Sequence, residues 1–180
     1  MVPVAVGSLR HEPELRGHLG AALRLIAAFA PADFTRVRTL MRGIVISRLY
    51  GANAHWRQSL RICVLSPEYL QRHTSDGEEA AAAIIHELTH ARLDALGFDY
   101  REERRARIER ICFRASRRFL ERLPASHSRT AVLDEIEEFL SFDSGVWRVV
   151  PERDYRLWYV RAFAYLLHQV ARPWHHKAPT

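Results

Sequence analysis

The stretch Glu78-Glu-Ala-Ala-Ala-Ala-Ile-Ile-His-Glu-Leu-Thr-His-Ala-Arg-Leu-Asp-Ala-Leu-Gly97 organises the reading of the whole chain. Alanine, isoleucine and leucine fill it almost all round, so it predicts a helix buried on most sides. Asp76 followed by Glu79 has the spacing of a capping box at its start, and Gly97 suits the left-handed residue that ends a helix. Asp99 and Glu102 repeat the pattern and open a second long helix, which Pro124 terminates after Leu123.

Upstream, Glu14 to Phe29 carries Leu15, Leu19, Ala22, Leu23, Ile26 and Ala27 at helical spacing, with Pro31 as its stop. Two β-branched runs follow, Gly43-Ile-Val-Ile-Ser-Arg-Leu49 and Leu60-Arg-Ile-Cys-Val-Leu-Ser66, separated by a loop Gly51-Ala-Asn-Ala-His-Trp56. They predict neighbouring antiparallel strands. Downstream, Leu133, Ile136 and Leu140 share one face of a helix over Ala131 to Leu140, and Pro151 can start another through Val170. The expected fold class is helix-dominated α+β, with a small antiparallel sheet preceding the buried helix. No repeat or low-complexity linker divides residues 1–180, which read as a single domain.

With 180 residues, 48% hydrophobic and 27% charged, the chain has enough apolar material for a core, which excludes disorder and a mini-protein scaffold. Cys63 and Cys112 are too few for a disulfide framework; they read as reduced thiols in a strand and a helix interior, as expected of a cytoplasmic protein. No stretch approaches the roughly 18 apolar residues of a membrane span, and the first residues lack the pattern of a secretory leader. The net charge is +6, and Lys177 is the only lysine among 27 basic residues. From Arg101 to Arg122 nine arginines face four glutamates, which reads as a solvated helix face partly neutralised by Asp134, Glu135, Glu137 and Glu138. Nucleic acid is the less favoured partner.

The chemistry sits in His86-Glu87-Leu88-Thr89-His90. On a helix, H-E-x-x-H puts two imidazoles one turn apart on one face, where they can bind a single zinc ion. Two histidines and a glutamate on an otherwise apolar helix need a task, because unpartnered buried polar groups cost about 1–3 kcal/mol each. A catalytic zinc needs a third protein ligand and one open position. If the two helices flanking the Gly97–Asp99 turn run antiparallel, His90 and His86 lie 7 and 11 residues before Gly97, roughly 10 and 16 Å along the axis. Glu109 lies 10 residues after Asp99, roughly 15 Å on, between those levels. It also borders the inward face of Ile108, Ile111, Cys112, Ala115 and Phe119, whereas Glu103 points away and Glu102 has a capping role. Glu109 is therefore the expected third ligand, with Glu102 behind it.

The HELTH motif on a buried helix, preceded by two strands and followed by a helix bearing Glu109, resembles the zincin metallopeptidases, specifically their glutamate-zincin branch, over about residues 43 to 120. The resemblance implies that His86, His90 and Glu109 bind Zn2+ and that Glu87 is the general base. It implies a peptide or protein substrate, pairing along the strand Leu60 to Ser66 as a sheet edge. Phe113 stands where many relatives carry an acidic residue four positions after the ligand glutamate. Cys63 also bears a likeness to the zinc-ligating cysteine of peptide deformylases, but that family's surrounding motif is absent and a core thiol is the better reading. His127, Tyr155 and Tyr159 are candidate donors to an oxyanion, none of them assigned. A noncatalytic zincin-fold regulator or nucleic-acid-associated binding protein is the alternative.

Overall fold

The computed structural model describes residues 4–6, 12–49, 53–72 and 77–141; the helix expected over 151–170, with Tyr155 and Tyr159, lies outside them. In chain order the elements are β1 (Val4–Val6), α1 (Glu12–Phe29), α2 (Pro31–Leu40), β2 (Gly43–Ile46), β3 (Ala54–Arg57), β4 (Ile62–Leu65), α3 (Pro67–Arg72), α4 (Glu78–Ala95), α5 (Glu102–Leu120) and α6 (His127–Ser141). Helices dominate and the sheet is small, an α+β arrangement. No helix among the described residues is long and apolar enough to cross a membrane.

The sheet departs from expectation. Its strand order is β1-β2-β4-β3, with β2 parallel to both β1 and β4, and only β3 antiparallel to β4. The two β-branched runs are neighbours, but parallel ones. The reason is β3, hidden in the presumed loop: after β2 the chain crosses to the far edge, descends as β3, and turns back through the 3-10 turn Gln58–Leu60 into β4. Arg61 closes that turn in the left-handed region at φ 54°. Its side chain then donates to the carbonyls of Leu40 (3.1 Å) and Thr39 (3.0 Å), satisfying acceptors at the C-terminus of α2. The strand Leu60 to Ser66 is therefore interior to the sheet, and β3 is the edge.

Pro31 ends α1 but also begins α2, where its missing N–H costs nothing at the first helical position. The N-cap of α5 is Arg101 and not the expected Asp99, and it makes no side-chain capping bond; Gly77 is the N-cap of α4, and Asp76 of the other expected capping box lies outside the described residues. Ser126 does cap α6, its Oγ accepting the Arg129 amide at 2.9 Å. At the other end of α4 the Phe98 amide bonds Leu93 O and the Gly97 amide bonds Asp94 O, both at 2.9 Å, around Gly97 at φ 77°. This is a Schellman turn, and it reverses the chain into α5.

α4 is the hub, packing on α1, α2, α5, α6, β3 and β4. Leu15, Leu19, Ala22 and Ile26 of α1, Ala81, Ile84, Ile85 and Leu88 of α4, Ile44, Ile46 and Leu65 of the sheet, and Phe119 and Leu120 of α5 are all buried in one cluster. Between α4 and α5, the buried Ser116 hydroxyl donates to Ala82 O at 2.9 Å, a direct bond between the two helices at a buried point of contact. On the outer side Arg117 pairs with Glu137 of α6, in keeping with a neutralised basic face.

Two glycines with similar positive φ, 71° at Gly77 and 77° at Gly97, make a controlled test. A Cβ on Gly77 would stand 2.8 Å from the Ala22 amide of α1, whereas one on Gly97 meets nothing within 4 Å. Gly97→Ala should cost about 1 kcal/mol, the left-handed penalty alone, and Gly77→Ala clearly more. Urea denaturation of both variants checks this; equal losses would contradict the close approach of α4 to α1.

Candidate metal centre

Residues 86–90 lie in the middle of α4, with Glu87, Leu88 and Thr89 buried and the two histidines mostly buried. The helical repeat brings the imidazoles to a centroid separation of 5.0 Å, with Nε2 of His90 3.2 Å from Nε2 of His86. Thr89, a polar residue with no part in this face, donates its hydroxyl to Ile85 O at 2.8 Å. Glu87 is 6% exposed and reaches electrostatically toward Cys63 of β4, His90 and Cys112.

α5 supplies the acidic partner. Glu109 Oε2 lies 3.1 Å from His86 Nε2 and 3.7 Å from His90 Nε2, with all three side chains only 12–14% exposed. Donors held at about 2.0–2.1 Å by one tetrahedral zinc ion stand about 3.3 Å apart. The observed triangle of 3.1, 3.2 and 3.7 Å brackets that spacing, and a point equidistant from its corners is about 1.9 Å from each. The donor set and its spacing thus fit a zinc ion. The side chain of Glu102, the lesser candidate, lies outside the described residues.

The surroundings orient the donors. The Tyr100 hydroxyl, in the α4–α5 connection, donates to the other Glu109 oxygen, and its ring meets His90 edge-on at 5.5 Å. Phe113 packs edge-on against His86 at 4.7 Å and stacks on Phe139 of α6 at 5.0 Å. Phe113, four positions after Glu109, therefore forms an aromatic wall beside His86. His127 is exposed at the start of α6.

Sequence reasoning missed Tyr100 and underrated Cys112. One ligand atom from each of His86, His90 and Cys112 lies within 4.8 Å of the others. The signal for Cys112 was available: it follows Glu109 by three residues, so the two side chains share a face of α5. Cys63, by contrast, is buried in the apolar cluster. A separate cleft of about 170 Å³, lined by Arg36, Arg92, Arg118 and Arg122, shares no residue with the donor cluster. The chain matches no protein-family model, no curated protein and no solved structure.

Without a metal the cluster polarises itself. Burial opposes a charged imidazole at His90, but hydrogen bonds to Cys112 and Glu109 overcome it and hold the ring well above its ordinary 6.5. Burial likewise opposes the Glu109 carboxylate, yet the two histidines hold it well below 4.5. The raised His90 stabilises the metal-free fold fully below pH 6.5, and that share is lost as pH rises through the folded-state value. The lowered Glu109 contributes above pH 4.5 and is lost as pH falls through its folded-state value. Chelator-treated protein should therefore lose stability toward alkaline pH in denaturant titrations, and His90→Ala should flatten that limb. An unchanged alkaline limb in the variant would place its origin elsewhere.

Proposed function

We propose that the chain is a zinc-dependent metallopeptidase of the zincin type, in which His86, His90 and Glu109 hold the ion and Glu87 is the general base. One observation carries the reading: a carboxylate from the helix after H-E-x-x-H has its oxygen 3.1 and 3.7 Å from the two imidazole nitrogens of the motif. A nearly buried triad with that donor chemistry and spacing has no better use than a metal ion.

Zinc bound there supplies Lewis acidity and an acidified water with a pKa of about 7. The chain's own residues do the rest. Glu87, adjacent to His86 and shielded from bulk water, takes the proton of the attacking water and returns it to the leaving amine. Tyr100 fixes the Glu109 carboxylate through its second oxygen, and Phe113 fixes the ring plane of His86. An extended peptide pairs with the outer side of β3, the edge strand that packs on α4. Trp56 of β3 sits in register with Cys63 of β4, whose thiol burial and the Glu87 charge together push up. The influence of Glu87 on Cys63, the neighbour of Trp56 across the strand pair, supports a peptide bound along β3 within reach of Glu87.

Three variants test the assignment by metal content and by turnover on a mixed peptide library. His90→Ala and Glu109→Ala should each lose the zinc that wild type retains at one per chain. Glu87→Gln should keep it and lose about 10²–10⁴ in turnover. Full turnover in Glu87→Gln would remove the general-base role, and stoichiometric zinc in Glu109→Ala would move the third ligand.

A further inference from the structure

We propose that Cys112 is a fourth donor to the same ion and that its thiolate closes the position peptide hydrolysis needs open. This rests on the metal reading above and concerns how that site is held latent. Cys112 is fully buried, yet it lies outside the apolar cluster that takes Cys63. It projects from α5 one turn after Glu109, and a ligand atom of His86, of His90 and of Cys112 all fall within 4.8 Å of one another.

The chemistry favours ligation at that distance. Thiolate sulfur binds zinc at about 2.3 Å and imidazole nitrogen at about 2.0–2.1 Å, so a shared tetrahedral ion separates them by about 3.6 Å. That spacing lies inside the observed envelope. Two imidazoles, one carboxylate and one thiolate complete a four-coordinate shell, which is the property of a closed site and not of an open catalytic one. On ligation the Cys112 thiol gives its proton to solvent. When the metal–sulfur bond breaks, the thiolate takes a proton back and leaves a position for water. The buried, polar setting of Cys112 thus makes it a competitor with water for the fourth position.

Cobalt reports this directly. Metal-free protein titrated with Co2+ should show the visible bands of a tetrahedral ion together with an intense near-ultraviolet sulfur-to-cobalt charge-transfer band. The charge-transfer band should vanish in Cys112→Ala while one cobalt remains bound, and persist in Cys63→Ala. Bound cobalt without that band in wild type overturns the proposal and leaves the zinc site standing. Persistence of the band in Cys112→Ala overturns it too. Folded wild type that binds no cobalt overturns the metal site itself and this proposal with it. If Cys112→Ala fails to fold, wild type and Cys63→Ala still decide, since Cys112 is then the only thiol left to give the band.

Discussion

Everything at the donor cluster depends on how closely α4 and α5 approach each other. Two antiparallel helices can bring a carboxylate against an imidazole pair only if their facing residues are small or share a hydrogen bond, and Ser116 bonded to Ala82 O provides that spacing. The Schellman turn at Gly97 fixes the other end of the pair, and the connection it starts delivers Tyr100 to Glu109. Ala82 is thus as much a part of the site as the histidines, because its bond with Ser116 fixes how closely α4 meets α5.

The relation between Glu109 and the histidines was legible because it is helical arithmetic. Rise per residue on either side of one turn puts residues 86, 90 and 109 at matching levels, and a helix repeat is regular enough for that sum to hold over two turns or more. The sheet was less legible. Two β-branched runs with a short intervening segment look like a hairpin, and Ala54-His-Trp-Arg57 carries no alternation strong enough to announce a strand. Its insertion reverses the relation of the runs from antiparallel to parallel. The expected start of α5 failed for another reason. Asp99 satisfies a capping pattern in sequence, yet it bonds Arg101, so the box is a pattern without its geometry.

Cys112 shows where reading by residue type stops. As a cysteine on an apolar face it is indistinguishable from a packing residue such as Cys63, since both are fully buried. What differs is the company: Glu87, His90 and Glu109 around one thiol, chiefly Glu87 and the apolar core around the other. That distinction is tertiary. Tyr100 was hidden in the same way, because its task of holding one Glu109 oxygen appears only once the connection between the helices is folded.

The topology also separates two scales of chain closure. His86 and Cys112 stand 26 positions apart, within one helical hairpin, while Val4 pairs with Ile44, 40 positions on, and does so in parallel across two intervening helices. The entropy of closing a loop rises with the logarithm of its length, and parallel pairing cannot be reached through a tight turn. Assembly of the hairpin is thereby a local event and assembly of the sheet a distant one. A metal ion captured by the hairpin early would act during folding as a clip on the segment that the rest of the chain must pack around.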